Sequence, residues 1–250
     1  MISNNLQVTV ICLTYGDHKR LTEEAIQSVL LQNYPYVHFM LCNTHIDPVV
    51  INTKHQNITI FNIKDVFTTL RAKYLYMLKK ITTPFWCVLD DDDIILPHFI
   101  SVLVRSFKKQ QVAISSEEKL LRIGYNHHYF MNSNKITKRN ATWTSYIYEK
   151  PNNFLLNYLQ NSLNTDKKVN GFDQILFNWK NWNTLDSIKE KICGYIYRWG
   201  TGSFHISGSG GHKEVYDINR KKVSTNRIKE SFQPHWDIDY NKKILEWENL

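Results

Sequence analysis

The sequence predicts an α/β protein in which a mostly parallel central sheet is flanked by helices. Short runs of β-branched and other apolar residues alternate with amphipathic segments through roughly the first 110 residues. This alternation is typical of βαβ units, which build parallel sheets through right-handed crossovers. The chain has 250 residues, 42% of them hydrophobic and 22% charged, which is typical of a globular protein. Because there is no internal repeat and no linker-like stretch, we expect a single domain over 1–250.

The first half of the chain supplies four predicted strands and three predicted helices. Each strand is an apolar run, and each helix repeats apolar residues every three to four positions. The strands are predicted at 7–13, 37–42, 58–63 and 85–89, and the helices at 21–30, 67–78 and 99–108. Pro35 follows the first helix and Pro97 opens the third, which are positions that proline favours at helix boundaries.

The second half is less regular. Strands are predicted at 112–115, 120–125, 143–148 and 192–199, and helices at 154–163 and 172–182. The polar and basic stretch 126–140 is predicted to be a loop. Residues 201–213 are rich in Gly and Ser, which predicts a flexible loop, and 216–250 form a basic tail.

Four consecutive carboxylates, Asp90 to Asp93, follow the predicted strand at 85–89. Adjacent carboxylates repel one another, so such a cluster is costly unless a cation lies among them. Oxygen ligands suit Mg²⁺ or Mn²⁺, which keep coordination positions open for substrate phosphates. A strand that ends in this cluster delivers it to the sheet edge where open α/β sheets bind ligands. The simpler alternative is a solvated acidic turn that caps the helix beginning near Pro97.

Charge and composition narrow the class of protein. The net charge of +8 and the pI of about 9.2 favour anionic partners, namely nucleotide phosphates, nucleic acid or acidic lipid. No apolar run is long enough for a transmembrane helix, and the N-terminus lacks the pattern of a signal peptide. The four cysteines lie in apolar runs without C-x-x-C spacing, so we expect buried thiols and a cytoplasmic location.

Four sequence segments occur in a distinctive order. They are Val-Thr-Val-Ile-Cys-Leu-Thr-Tyr at 8–15, Ala-Ile-Gln-Ser-Val-Leu-Leu-Gln-Asn-Tyr-Pro at 25–35, Leu-Arg-Ala-Lys at 70–73, and Leu-Asp-Asp-Asp-Asp at 89–93 followed by Pro97. Together they resemble the GT-A glycosyltransferases, most of all the family 2 type.

The resemblance implies the GT-A fold, a Rossmann-like fold of nucleotide-diphospho-sugar transferases. It also implies an enzyme that moves a hexosyl or pentosyl group from a nucleotide-diphosphate sugar to an acceptor hydroxyl, with Mn²⁺ or Mg²⁺ as cofactor. Within the single domain it implies a nucleotide-sugar-binding half at 1–115, an acceptor-binding half at 116–215 and the basic C-terminal tail at 216–250.

For the donor nucleotide, the resemblance assigns four residues. Thr14 and Tyr15 end the first strand, where family members hold the nucleotide, and Tyr15 is a candidate to stack on the base. Asn43 stands where the family usually has an Asp that contacts the nucleotide. Arg71 falls where a basic residue often lies near it, with a solvated helix arginine as the alternative.

For the metal, the resemblance points to the Asp-x-Asp motif and a later histidine. Asp92 is expected to bind the metal, and Asp90 to reach the metal or the ribose, with Asp93 orienting either. His205 matches a histidine that many GT-A enzymes place after the last core strand as a further metal ligand. A structural histidine is the alternative, and His212 competes for the same role.

For the general base, the resemblance points to Asp173, one carboxylate able to take the acceptor proton. The acidic pair common in family 2 is incomplete here, simple helix capping is the alternative role, and Asp166 and Asp186 are weaker candidates. Arg198 or Lys213 is expected to neutralise charge on the leaving phosphate. The longer N-terminal match favours inversion, although the stretches around Asp173 and His205 also resemble a retaining family.

The acceptor is left open by the sequence, as is the oligomeric state. One candidate is a hydroxymethylated base in DNA, as in phage-type DNA modification, because basic and Trp residues suit a phosphate backbone and a flipped base. These residues are Lys135, Lys138, Arg139, Lys167, Lys168, those at 220–229, Trp143, Trp179 and Trp182. One alternative is a surface polysaccharide or lipopolysaccharide acceptor, with the basic residues holding the enzyme at an anionic membrane. The other is a catalytically inactive module that binds sugar nucleotides or nucleic acid.

Overall fold

The computed structural model describes residues 6–14, 19–44, 48–52, 57–63, 67, 70–109, 118–132, 135–165, 172–185, 188–199, 239, 240, 242 and 244. The strands are β1 (Val8–Thr14), β2 (Val37–Asn43), β3 (Ile58–Asn62), β4 (Phe85–Asp90), β5 (Ile94–Ile95), β6 (Leu120–Gly124), β7 (His127–Asn132), β8 (Lys135–Asn140), β9 (Tyr146–Glu149), β10 (Trp182–Thr184) and β11 (Tyr195–Trp199). The helices are α1 (Lys19–Leu30), α2 (Leu70–Leu78), α3 (Phe99–Lys109), α4 (Asn153–Thr165) and α5 (Phe172–Phe177), with a 3-10 turn at Trp143–Ser145.

The central sheet has seven strands in the order β10-β6-β9-β4-β1-β2-β3. Near its middle, β1 pairs in parallel with β4 and with β2, and β2 pairs in parallel with β3. Only β9 runs antiparallel to its neighbours, β4 and β6. All seven residues of β1 are buried, as expected for a parallel strand covered on both faces. The predicted α/β class with a mostly parallel sheet is therefore confirmed.

Side chains of β1 alternate between two hydrophobic clusters, one on each face of the sheet. Val10 and Cys12 pack into the cluster that holds the apolar faces of α1 and α3. Ile11 and Leu13 pack into the opposite cluster, with residues of α2, α4 and α5. The period of two along the strand therefore produces three layers, helices on either side of one sheet.

A second, smaller sheet lies beyond the Asp cluster, with strand order β5-β11-β7-β8. β11 is antiparallel to β5 and parallel to β7, and β7 and β8 form an antiparallel hairpin. A third hydrophobic cluster packs on this sheet and includes residues near the C-terminus. Its buried members are Ile94, Leu96, Tyr129, Ile136, Cys193, Ile196, Tyr240 and Ile244. Since β5 begins only four residues after β4 ends, this sheet directly adjoins the carboxylates.

The predicted loop at 126–140 is wrong, because this stretch forms the β7–β8 hairpin. Tyr129 and Ile136 are buried, while Lys138 and Arg139 on the outermost strand are exposed. Edge strands of natural sheets often carry charged residues that prevent pairing with other chains, so their sequence looks like a polar loop.

The predicted helix at 172–182 is too long. α5 ends at Phe177, and β10 begins at Trp182. The indole N–H of Trp182 donates to the carbonyl of Leu176 over 2.7 Å, and Trp179 is buried beside it. Trp179 and Trp182 follow the apolar spacing of a helix, which is why the sequence predicts a longer helix, but both lie beyond the end of α5. The predicted strand at 143–148 likewise begins with the 3-10 turn, and its strand part is β9; the strand predicted at 112–115 lies outside the described residues.

Three further expectations concern the whole chain. The four cysteines are buried, as the sequence predicts. Among the helices in the described ranges, none combines the length and the apolar character that crossing a membrane requires. The boundary predicted between the two halves, at 115, and the start of the tail, at 216, fall outside the described residues and stay predictions.

Candidate active site

The carboxyl ends of β1, β2 and β4 meet at one edge of the central sheet. The parallel registers pair Thr14 with Asn43, and Leu13 with Asp90. The backbone N–H of Thr44 donates to the carbonyl of Thr14 over 3.2 Å, which extends the pairing past the strand ends. Two predicted nucleotide-binding residues and the first residue of the Asp cluster therefore lie on neighbouring strand ends, at the edge where open α/β sheets bind ligands.

Asp90 is half-buried at this edge. Its Oδ1 accepts a hydrogen bond from the hydroxyl of Tyr74 over 3.3 Å. Burial raises the pKa of Asp90 to about 8, with smaller contributions from the charges of Asp92 and Asp91, while the bond from Tyr74 opposes the rise. The negative charges of the cluster therefore disfavour one another, which is the condition that a bound cation relieves.

Asp93 has a different role from Asp90. Its backbone N–H donates to the carbonyl of Asp90 over 3.1 Å, which closes the four carboxylates into a tight turn. Its side chain is fully buried and accepts from the Tyr195 hydroxyl and from the Arg198 backbone N–H, both over 2.7 Å. Burial raises the pKa of Asp93 well above its usual range, and the charges of Asp92 and Asp90 add to the rise. Both oxygens of Asp93 thus bond to the protein.

Asp173, the predicted general base, lies in the first turn of α5 and is half-buried. The preceding Phe172 is buried and stacks on Tyr74, with ring centroids 4.4 Å apart. The negative charge of Asp173 contributes to the raised pKa of Asp90. The fold therefore brings the predicted base and the Asp cluster into one electrostatic neighbourhood, with Tyr74 between their elements.

The two cations of α2 point to different places. Arg71 donates from Nη1 to the carbonyl of Ser162 on α4 over 3.3 Å. Lys73 donates from Nζ to Oγ1 of Thr44, directly beyond the end of β2. Burial raises the pKa of Cys42 to about 11, and the charge of Lys73 opposes that rise. The role predicted for Arg71 stays a prediction. The hydrogen bond to Thr44 places Lys73, the other cation of α2, at the sheet edge.

The sequence motifs did not indicate a role for Lys73 at the site. It belongs to the same matched segment as Arg71, but the sequence does not fix which way each helical residue faces. A lysine two positions after Arg71 was the available signal.

Asn43 is fully buried at the end of β2, and its amide orientation is determined by neighbours. Asn62 accepts from the backbone N–H of Val49 over 2.7 Å and donates to the carbonyl of Val49 over 3.0 Å. This fixes which atom of Asn62 is the oxygen. The Nδ2 of Asn43 donates to that oxygen over 3.0 Å, so the Asn43 amide has a defined orientation at the predicted nucleotide site.

Arg198 is buried rather than exposed at the sheet edge. Its guanidinium donates to the Glu24 carboxylate, to the carbonyl of Asp92 and, over 3.3 Å, to the carbonyl of Leu21. Its predicted role at the leaving phosphate stays a prediction. These contacts favour a role within the protein, behind the carboxylates.

Several predicted site residues lie outside the described ranges. They are Tyr15, His205 and Lys213, together with the alternatives Asp166, Asp186 and His212. Within the described ranges, no three His, Cys, Asp or Glu side chains converge as a metal site made only by protein would require. The roles assigned to the residues outside the described ranges stay predictions.

Comparison with known proteins adds evidence at the level of the fold. No family model matches the sequence, and neither does any curated protein. The chain is similar in structure to residues 1–349 of S. aureus TarS in complex with UDP-GlcNAc, with a TM-score of 0.50, 14% identity, and coverage of 95% of this chain and 69% of TarS 1–349.

Two other solved structures are similar over less of their length or with lower scores. The glycosyltransferase GlyE of Streptococcus pneumoniae TIGR4 gives a TM-score of 0.49 at 12% identity, with 98% of this chain and 64% of GlyE covered. The mannosyltransferase PcManGT of Pyrobaculum calidifontis, in complex with GDP-Man and Mn²⁺, gives a TM-score of 0.38 at 12% identity. The match covers 58% of this chain and 44% of PcManGT.

Identities this low establish likeness of fold alone. The structural neighbours are GT-A-type glycosyltransferases, and this chain has their fold. The resemblance drawn from the sequence motifs is therefore confirmed at the level of the fold.

Proposed function

We propose that this protein is a metal-dependent glycosyltransferase that uses a nucleotide-diphosphate sugar as donor. The observation that carries the proposal is the meeting of Thr14, Asn43 and the Asp90–Asp93 turn at the carboxyl edge of the sheet, in a GT-A fold. The TarS fragment of similar fold was solved with UDP-GlcNAc, which supports a nucleotide sugar as the donor class.

The carboxylates fit a dication that is shared with substrate. Asp90 and Asp92 are the proposed protein ligands, because both oxygens of Asp93 already bond to Tyr195 and Arg198. One or two carboxylates are sufficient for Mg²⁺ or Mn²⁺ when substrate phosphates complete the coordination. When bound, the ion would neutralise charge that develops on the leaving diphosphate. His205 is a further proposed ligand.

The remaining proposed roles belong to side chains at the same edge. Thr14, Tyr15 and Asn43 hold the nucleotide, and Lys73 adds a positive charge next to Thr44. Arg71 is proposed to lie near the nucleotide, and Lys213 is proposed to neutralise charge on the leaving phosphate.

Asp173 acts as the general base. The acceptor oxygen bonds to the anomeric carbon as the bond from that carbon to the diphosphate oxygen breaks. The acceptor proton passes to Asp173 and the nucleoside diphosphate leaves, with inversion at the carbon.

For the acceptor, the packing of the tryptophans favours a glycan over a DNA base. Trp179 and Trp182 are buried and pack against each other with centroids 4.9 Å apart. Trp143 packs edge-on against Tyr74 at 5.3 Å. The buried rings of Trp179 and Trp182 therefore do not offer faces to a flipped base, and Trp143 is half-buried. We propose a hydroxyl of a glycan, and transfer to hydroxymethylated DNA is the alternative. The cytoplasmic location stays a prediction.

The test is a donor-hydrolysis screen over UDP- and GDP-sugars with Mn²⁺, followed by mass spectrometry of glycan acceptors and of plain and hydroxymethylated duplex DNA. We expect metal-dependent hydrolysis of at least one donor, abolished by EDTA and by Asp90→Asn. Binding of nucleotide without hydrolysis of any donor would favour an inactive binding module. Transfer to hydroxymethylated DNA alone would replace the glycan acceptor.

A further inference from the structure

A buried ion pair lies directly behind the Asp cluster. Arg198 of β11 and Glu24 of α1 are 5% and 3% exposed, and Nη1 of the arginine donates to Oε2 of the glutamate. The Tyr240 hydroxyl joins them. It accepts from Nη1 of Arg198 over 3.5 Å and donates to Oε2 of Glu24 over 3.4 Å. Three residues that are distant in the sequence therefore form one buried polar network, and the exposed Arg20 lies 3.9 Å from the other oxygen of Glu24.

The same arginine fixes the backbone of the carboxylate turn. Nε of Arg198 donates to the carbonyl of Asp92, and its backbone N–H donates to Oδ1 of Asp93 over 2.7 Å. The hydroxyl of Tyr195 donates to the other oxygen of Asp93, also over 2.7 Å. The shape of the turn at 92–93 is therefore set mainly from β11.

Stability alone does not account for this network. A buried ion pair adds little stability compared with apolar side chains of the same volume, because desolvation offsets the attraction between the charges. What Arg198 adds here is direction, since its planar fork has fixed donor positions. Nη1 of the fork donates to both Glu24 and Tyr240, and Nη2 donates to the carbonyl of Leu21. These contacts direct Nε toward the carbonyl of Asp92.

Tyr240 is one of the few described residues that follow β11 in the sequence, and it connects this network to the third hydrophobic cluster. Tyr240 and Ile244 are each 1% exposed and pack on the small sheet with Ile94 and Ile196. Ile94 is the next residue after Asp93. Docking of residues 240 and 244 and the shape of the turn therefore share one hydrophobic cluster and one hydrogen-bond network.

We propose that Arg198 is a positioning residue and that, through Glu24 and Tyr240, it couples the docking of residues 240 and 244 to the geometry of the Asp92–Asp93 turn. The ligand side of this proposal, a dication and diphosphate held at the turn, rests on the proposed function. The coupling itself rests only on the contacts within the protein.

The test compares two matched variants, each lacking one buried tyrosine hydroxyl. Tyr240→Phe removes the hydroxyl of the network and keeps the ring in its cluster. Tyr125→Phe is the control, since Tyr125 is also 1% exposed and its hydroxyl has no hydrogen-bond partner among the described residues. Both variants are made in the full chain, and thermal unfolding shows whether each is folded.

The first readout needs no ligand. Amide exchange of Arg198, whose N–H bonds to Asp93, is followed by NMR in the metal-free protein. We expect exchange about 10-fold faster in Tyr240→Phe, a loss of protection typical of local opening, and unchanged exchange in Tyr125→Phe. Equal exchange of Arg198 in both variants would overturn the coupling, whatever the protein binds.

The second readout is calorimetric titration with Mn²⁺ and UDP, then Mn²⁺ and GDP. We expect Tyr240→Phe to weaken Mn²⁺-dependent nucleotide binding about 10-fold, the lower end of the range for losing a direct partner of a metal ligand, because Tyr240 acts on Asp92 only through Arg198. Tyr125→Phe should bind like the wild type. Unchanged affinity in Tyr240→Phe would overturn the positioning role. If the wild type binds neither nucleotide, the proposed function fails and amide exchange alone decides the coupling.

Discussion

Tyr74 stacks face to face on Phe172, with ring centroids 4.4 Å and ring planes 11° apart, while its hydroxyl donates to Oδ1 of Asp90 over 3.3 Å. The residue after Phe172 is Asp173, the proposed general base. One aromatic side chain of α2 therefore contacts both the residue before the base and a proposed metal ligand. Tyr74 therefore connects the proposed general base with the proposed metal site.

Replacing Tyr74 by Phe keeps the stack on Phe172 and removes the hydrogen bond to Asp90. We expect Mn²⁺-dependent donor hydrolysis to fall about 10-fold, because an oriented ligand loses its partner. Stability should fall by only about 1 kcal/mol, the usual net value of one hydrogen bond. Steady-state kinetics and thermal unfolding measure the two effects. Hydrolysis at the wild-type rate would show that the hydroxyl does not orient Asp90.

Replacing Asp173 by Asn removes the proposed base and keeps the size of the side chain. We expect transfer to the acceptor to fall by about 10²–10⁴-fold, the usual contribution of a general base. Binding of Mn²⁺ and nucleotide should persist, since Asp173 is not a proposed ligand. The matched control is Glu118→Gln, which alters an exposed carboxylate. A fully active Asp173→Asn protein would exclude this residue as the base.

The buried side chain of His128 is expected to make the stability of the folded protein depend on pH. It is 4% exposed, and burial lowers its pKa from 6.5 to about 4. Its surroundings are the Asn140 carbonyl, which accepts a hydrogen bond from it, the charged Arg139, His127 and the Tyr197 ring. The hydrogen bond to Asn140 favours the protonated form, Arg139 and His127 disfavour it, and burial has the largest effect.

Below pH 6.5 the unfolded chain binds a proton at this histidine, while the folded protein does not until about pH 4. The free energy of unfolding should therefore fall as pH decreases between these values, by up to about 3 kcal/mol from this group. In His128→Gln that part of the pH dependence should disappear, and in His127→Gln, at an exposed neighbour, it should remain. Urea unfolding from pH 7 to 4.5 measures the difference. Parallel curves for wild type and His128→Gln would contradict the prediction.

Much of the fold could be predicted because local patterns and the tertiary structure agree. The apolar runs of β1 and β4 form strands, and the segments of amphipathic spacing at α1 and α3 form helices, as the sequence predicts. The β7–β8 hairpin was not predicted because the sequence of its edge strand is polar and basic. The place of β7 beside β11, which lies far along the chain, is set only by the fold.

The site shows the same division. The strand ends at Thr14, Asn43 and Asp90 could be predicted because they directly follow apolar strands. The contacts of Arg198 could not, since only the fold brings Glu24 and Tyr240 to it. The different directions of Arg71 and Lys73 depend on the rotation of α2 against α4, which no local pattern fixes.

The proposed function requires that a dication bound by Asp90 and Asp92 holds a diphosphate at the sheet edge. The most direct measurement is calorimetric titration of UDP and GDP, with and without Mn²⁺, into wild type, Asp92→Asn and the surface control Glu118→Gln. We predict that Mn²⁺ strengthens binding of one nucleotide about 10-fold or more in wild type and Glu118→Gln, and has no such effect in Asp92→Asn. Nucleotide binding that is equal with and without Mn²⁺, or an undiminished effect of Mn²⁺ in Asp92→Asn, would contradict the proposed binding of a dication by these carboxylates.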